Sequence, residues 1–279
     1  MLELGCNHQG STDIARALVD DAQRLGVFGI KFQKRHVEAI PEGVKGRPRD
    51  PATSFGDTYY AHRKALELDL DQVTALKRHA EDRGLVFAES VFDLRSLQDV
   101  IDVGVKCIKL PSQALLDHEL NFKLVSQRRV APNTFIVNST GMHTVKEVLA
   151  NPWLREFDAT LYCRSIYPHR AGQADLGAAR AIFGALGDPQ RCGYSSHDLD
   201  GTLVPWLVLI GATWVERHYT LDKGMKGSDH GTVSSDFAEM QAILRQVEEV
   251  EDLLECKNYD RIASAEELAN REFYTGVKR

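Results

Sequence analysis

A single-domain (β/α)₈ TIM barrel is the fold class this sequence predicts, from its rhythm and its length. Eight short β-branched or apolar runs alternate with amphipathic helical stretches from end to end, with no clear linker between them. A chain of 279 residues has the length of one such barrel. An open, doubly wound sheet is the alternative, but no G-x-G-x-x-G follows the first run.

The expected strands are 2–5, 28–32, 85–88, 107–110, 134–137, 159–163, 191–194 and 213–215. Helical patterns between them cover 13–25, 70–83, 94–103, 144–150, 176–186 and 203–210. Ser11 and Thr12 read as caps of the first helix, Gly26 and Gly84 as stops. Residues 36–57, rich in proline, glycine and charge, read as a long loop after the second strand. The barrel is expected over 1–255, followed over 256–279 by a polar tail with helical character at 263–272.

Composition narrows the function classes. The hydrophobic fraction of 43% and charged fraction of 27% are those of an ordinary globular protein. A net charge of −6 argues against nucleic acid or an anionic membrane as the main partner. It leaves room for an anionic small substrate held by a few focused cations. Five scattered cysteines, Cys6, Cys107, Cys163, Cys192 and Cys256, contain no C-x-x-C pair. A disulfide framework or zinc knuckle is therefore not expected, and a reducing cytoplasm fits best. No signal peptide is seen, and the longest apolar run, around 203–210, is broken by Pro205 and too short to span a bilayer.

In a barrel of this type the residues at the strand C-terminal ends point into the active-site mouth. The first strand offers Glu3, then Asn7 and His8; the second, Lys31 and Gln33; the third, Glu89 and Ser90. The fourth gives Lys109 and Ser112, the fifth Asn138, Ser139 and Thr140, the sixth Arg164, Ser165 and Tyr167. The seventh gives Ser195, Ser196 and His197, and the eighth Glu216, Arg217 and His218. Ionisable or hydroxyl groups at all eight ends describe a polar pocket. Lys31, Lys109 and Arg164, among serines, suit a phosphate and a carboxylate. His197 and His218, on adjacent final strands, are placed to share one metal ion and leave positions open for substrate oxygen and water. Glu3 would face them as a proton-transfer group.

Each residue also has a structural reading. A lysine at a strand end is an ion-pair partner about as often as a ligand contact, and a single histidine is more often structural than metal-binding. Glu216 and Arg217 could pair with each other or cap a helix. His8, His36, His62, His79, His118, His143, His169 and His230 show no ligand spacing, and surface or loop positions are expected for most of them. Local pattern thus reaches a metal-assisted barrel enzyme acting on an anion.

The segments LELGCNHQGS, IKFQK, FAESVFD, IKLPSQ, VNSTGM, CRSIYP, GYSSHD, VERHYT and KGSDH carry more. In this order they resemble the sialic acid synthase family, from Leu2 to about Phe273. The resemblance implies a barrel that condenses phosphoenolpyruvate with an open-chain N-acylated amino sugar to a 3-deoxy-2-ulosonic acid, using a divalent metal. Manganese is expected first, with magnesium or cobalt as alternatives. By matching position it implies His197 and His218 as metal ligands and Glu3 as the catalytic glutamate. It implies Lys31, Ser90, Lys109, Ser112 and Ser195 as phosphoenolpyruvate contacts, and Tyr167 and Asp229, beside Gln33, on the acceptor side. A homodimer is implied at the family level alone.

Three departures stand out. Ser165, with Arg164 beside it, replaces the asparagine of the family's CTNIYP segment, so Ser165 and Arg164 are the expected contacts there. Ala114 stands where the GSGE glutamate would contact the amino sugar, so an altered acceptor is expected. AEELANREFYTGVKR resembles the lead-in to the family's C-terminal antifreeze-like domain, which is expected to be missing, and Met1 lies two residues before Glu3 where relatives carry a hairpin. Three functions follow: a synthase with an altered acceptor, a 3-deoxy-2-ulosonate phosphate synthase acting on a phosphorylated aldose, or a non-catalytic barrel that binds phosphorylated ligands. Arg47 and Arg49 in the long loop keep the second open.

Overall fold

The structure, a computed structural model, describes residues 1–227, 229–255 and 264–275. Eight parallel strands close into a barrel in sequence order. They are β1 (Leu2–Gly5), β2 (Gly29–Lys34), β3 (Val86–Val91), β4 (Cys107–Leu110), β5 (Phe135–Ser139), β6 (Ala159–Cys163), β7 (Cys192–Ser196) and β8 (Trp214–His218). β8 closes on β1 through the register Leu2↔Arg217 and Glu3↔His218.

All eight strands lie where the sequence places them, but five begin one residue later and run two or three residues further. Lys34, Ser90, Ser139, Ser196 and His218 are strand residues rather than the start of loops. The extension has a physical cause. Polar side chains near the mouth meet each other between neighbouring strands, as Lys31 meets Ser90 and Ser195 meets Glu216, so ending the apolar run does not end the pairing.

Side chains alternate along each strand, so every second residue faces inward. Along β4 these are Cys107 then Lys109; along β3, Ala88 then Ser90; along β6, Ala159, Leu161, then Cys163. Each inward row therefore passes from apolar at the base to polar at the mouth. At the base, Ala88, Cys107, Val137, Ala159 and Leu161 pack into a plug, with Met1, Phe135 and Trp214 beneath. Gly193 belongs to this layer: a Cβ there would lie 2.2 Å from Leu161 Cδ2. The larger apolar core fills the ring between strands and helices.

Helix Thr12–Arg24 takes Ser11 as its cap, through Ser11 Oγ accepting from the Ile14 amide; Thr12 is the first helical residue and not a cap. Gly26 and Gly84 follow their helices at φ of 69° and 73°, a turn that favours glycine. The 36–57 segment is less irregular than expected, with a 3₁₀ turn at Val37–Ala39 and a short helix at Glu42–Lys45. Helices Tyr59–Leu66, His118–Val130 and Phe237–Glu255 go beyond the expected patterns. In His118–Val130 the buried face includes Asn121, whose amide donates to the Ala114 and Asp117 carbonyls, and this polar residue breaks the apolar periodicity. Phe237–Glu255 packs against Val204–Leu209.

Of the tail expected over 256–279, residues 256–263 and 276–279, with Cys256, lie outside the described residues, and Ala265–Thr275 is helical. Cys6, Cys107, Cys163 and Cys192 are free thiols. No helix among the described residues is long and apolar enough to cross a membrane. Of the histidines expected at surface or loop positions, His8, His169 and His230 do lie in loops, though buried, while His62 is buried in helix Tyr59–Leu66. Their rings bond to nearby groups, His8 Nδ1 to the Gly10 amide and His62 Nδ1 to the Phe55 amide.

Candidate active site

The polar inward rows converge on a cavity of ≈ 320 Å³ at the C-terminal ends of the strands. Glu3, Lys31, Gln33, Ser90, Lys109, Ser112, Ser165, Tyr167, Ser195, His197, His218 and Asp229 all line it. Arg164 is the exception. Its side chain lies outside the lining and contributes only a carbonyl, which accepts from His197 Nδ1 at 2.8 Å. Asn138 and Arg217 also turn away from the cavity, because inward positions alternate and theirs are the outward ones.

At the closed end the charges form a lattice. Lys31 pairs with Glu3, lies 3.7 Å from Glu216 Oε2, and donates to Ser90 Oγ at 2.7 Å. Lys109 bonds to Glu216 Oε1 at 2.5 Å, and Ser195 donates to the same oxygen at 2.9 Å. Gln33 donates to Glu3 Oε1 at 3.2 Å. Glu216 therefore does not pair with Arg217, the reading open from sequence; adjacent strand residues face opposite sides. Burial alone would raise the Glu216 carboxyl, but Lys109 and Lys31 outweigh it and hold the group well below the usual carboxylate range.

Across from the lattice, the His197 and His218 rings lie 5.5 Å apart between centroids, with the Tyr167 ring 4.1 Å from His197 and tilted by 33°. Burial, reinforced by the neighbouring His218, lowers His197 to about 3, and burial lowers His218 to about 4. Both rings are thus neutral near pH 7, the form that ligates metal. The bond to Arg164 O makes Nδ1 of His197 the donor and leaves Nε2 with its lone pair free. His218 Nδ1 is buried without a hydrogen bond, 4.0 Å from Asp229 Oδ2. An orphaned imidazole nitrogen beside a second neutral imidazole is a donor set that fits a divalent ion with open positions. Among the described residues, no three or more His, Cys, Asp or Glu side chains are gathered so that they could hold a metal ion, so the two histidines would have to be completed by substrate or water.

A wall of hydroxyls joins the two halves. Ser139 Oγ and Ser165 Oγ are buried without partners, and Ser112 Oγ lies 3.2 Å from Cys163 Sγ. Gly141 permits this crowding: a Cβ there would lie 2.2 Å from Ser165 Oγ, 2.7 Å from Cys163 Sγ and 2.8 Å from Ser112 Oγ. Ala114 is buried in the core, and its neighbour Gln113 faces the cavity instead.

Sequence reasoning missed a further part of the lining, Arg35, Tyr59, Arg63, Phe92 and Met142, and named Arg49 only together with Arg47. Most of these lie in or beside the long segment between β2 and β3. Only its charge hinted at them, and Arg49 but not Arg47 reaches the cavity.

Residues 18–259 match the family model described as the NeuB family. An N-acetylneuraminate-9-phosphate synthase from Drosophila melanogaster is 32% identical over 234 residues, covering 82% of this chain and 61% of that protein. An N,N'-diacetyllegionaminic acid synthase from Legionella pneumophila is 30% identical over 264 residues, 90% of this chain and 72% of that protein. The chain thus spans about three fifths to three quarters of the length of these relatives. The solved N-acetylneuraminic acid synthetase from Leptospira borgpetersenii, in complex with citrate, superposes with a TM-score of 0.79 at 23% identity. That superposition covers 99% of this chain and 92% of that one, and bears on the fold.

Proposed function

Because the chain belongs to the NeuB family, we propose that it condenses phosphoenolpyruvate with an open-chain aldose, giving a 3-deoxy-2-ulosonic acid and inorganic phosphate. One observation carries this reading: two lysines, five serines and two neutral histidines line one cavity. Lys31 and Lys109, with Ser90, Ser112, Ser165 and Ser195, suit the phosphate and carboxylate of phosphoenolpyruvate. Gln33, Tyr167 and Asp229 line the same cavity and suit the aldose.

His197 and His218 would hold a divalent ion, manganese before magnesium or cobalt, which when bound supplies Lewis-acid polarisation of the aldehyde. The protein's own groups do the rest. The serines and lysines fix phosphoenolpyruvate so that its C3 faces the aldehyde carbon. As the new carbon–carbon bond forms, positive charge develops at C2. Water would add there, with Glu3 taking its proton and passing it to the former aldehyde oxygen, which becomes the new hydroxyl. Collapse of the resulting tetrahedral centre breaks the C2–O bond to phosphate, whose charge the two lysines offset.

The test is phosphate release from phosphoenolpyruvate with Mn²⁺ across a panel of aldoses. Release with at least one aldehyde is expected; none with any would favour a barrel that only binds phosphorylated ligands. His197→Ala and His218→Ala should each abolish metal-dependent release while the far-UV spectrum is retained. Full activity in either variant would refute the ligand assignment.

A further inference from the structure

The two oxygens of Glu3, a residue only 2% exposed, are held in different ways. Oε2 pairs with Lys31, while Oε1 accepts from Gln33 Nε2 at 3.2 Å. The other end of the Gln33 amide is engaged as well, its Oε1 accepting from Arg35 Nη2 at 3.3 Å. The amide therefore bridges a carboxylate, which only accepts, and a guanidinium, which only donates. Those two neighbours fix its orientation, nitrogen toward Glu3 and oxygen toward Arg35. An amide suits both; a carboxylate at position 33 would repel Glu3, and an ammonium would repel Arg35.

The backbone makes room for this bridge. Lys31, Gln33 and Arg35 are alternate residues and all line the cavity. Opposite them the β1–β2 ladder runs Glu3↔Lys31 and then Gly5↔Phe32, so β1 carries one extra residue, a bulge. Gly5 sits there at a φ of 49°. A Cβ on it would lie 3.0 Å from Glu3 Oε1 and 3.3 Å from Gln33 Nε2. The bulge, the left-handed conformation and the missing Cβ thus meet at one hydrogen bond, and only glycine satisfies all three.

That bond decides how the carboxyl is presented. The terminal torsion of a glutamate is soft, so an ion pair at one oxygen leaves the carboxyl plane free to turn. A donor at the second oxygen fixes the plane. A group that takes a proton must lie within hydrogen-bond reach of it, and a displacement of about 1 Å costs on the order of a hundredfold in rate. Arg35 reinforces the arrangement from behind. Its plane is stacked on Phe92, with Cζ 3.2 Å from the ring centroid, and its charge on the amide oxygen polarises the N–H that faces Glu3.

We propose that Gln33 is a positioning residue: anchored by Arg35 and given room by Gly5, it sets the plane of the Glu3 carboxyl and so the place at which Oε1 meets the proton of the attacking water. The role rests on the condensation reading for its chemistry, though not for its geometry. It differs from a contact between Gln33 and the aldose, because the amide acts through Glu3. Its loss slows turnover, whereas loss of an aldose contact weakens binding.

Gln33→Met tests it, since it keeps the length of the side chain and removes both the donor and the acceptor. With phosphoenolpyruvate, Mn²⁺ and whichever aldose the wild type uses, kcat should fall about tenfold or more while both KM values stay within about twofold. Gln33→Ala, which removes the amide without replacing it, should give the same split. Crystal structures of the wild type and of Gln33→Met then show whether Glu3 is what moved. A Glu3 carboxyl turned out of its wild-type plane, with Lys31 still paired to it, is the expected result. A fall in kcat together with a moved Glu3 sustains the role. An unchanged kcat, or a Glu3 carboxyl that keeps its place in the variant, overturns it and leaves the condensation standing. If the wild type turns over no aldose, the condensation fails on its own, and the comparison of the two crystal structures decides the positioning of Glu3 separately.

Discussion

Glu89 and Ser90 are neighbours on β3, yet only Ser90 faces the cavity. Glu89 points out into the protein, where burial pushes its carboxyl up to about 8 against the pull of Lys31 and Lys34, and one oxygen has no partner. The folded state keeps this proton between the ordinary carboxylate range and about pH 8, while the unfolded chain releases it. Stability therefore falls as pH rises through that window. Glu89→Gln should raise Tm, with a gain that grows from pH 5 to pH 8; a gain independent of pH, or a loss, would count against the buried acid. Residue types alone located Lys31, Lys109, His197 and His218, because such groups at the ends of apolar runs are conspicuous. The sense in which each side chain faces was harder to read. Glu216 and Arg217 differ by one position and face opposite ways, so the partner of Glu216 is Lys109, across the barrel, and not its neighbour.

At the scale of elements, β7 and β8 are tied together behind the histidines. Arg217 donates to Ser196 Oγ, to the Asp198 carbonyl and to Ser235 Oγ, and Asp198 accepts from Ser196, Tyr194 and the Leu203 amide. His197 lies between Ser196 and Asp198, and His218 follows Arg217, so this buried network sets the spacing of the two rings. Asp198→Ala leaves Arg217 buried without its counter-ion and should destabilise the fold by about 3–5 kcal/mol. Denaturant unfolding at neutral pH checks it, and a change under about 1 kcal/mol would show the network to be incidental. Strand positions were legible because apolar runs are short and clear; strand ends were not, because pairing continues through polar residues. The segment between β2 and β3 was the least legible. Pro, Gly and charge mark a loop but do not say which of its arginines turns inward.

For the molecule as a whole, the closed barrel was the more legible level, since eight alternations leave few other topologies. Its acid limit follows from buried histidines. Burial lowers His8 and His62 to about 4 each. Between the ordinary histidine range and about pH 4 the unfolded chain takes up protons that the folded one refuses, so stability falls as pH drops through that interval. Unfolding midpoints measured from pH 7 to pH 4 should decline, and His8→Gln should flatten the decline; an identical slope would rule out His8 as a contributor. The plug of Ala88, Cys107, Val137, Ala159 and Leu161 has a different kind of consequence. Among the described residues it fills most of the barrel below the lysines, and the main cavity opens on the side that Arg35, Arg49 and Arg63 line. Depth then becomes sequence in time: if one ligand is held by the lysines and a second by the mouth, the deeper one is expected to bind first, and initial-rate kinetics with both ligands varied would check that order.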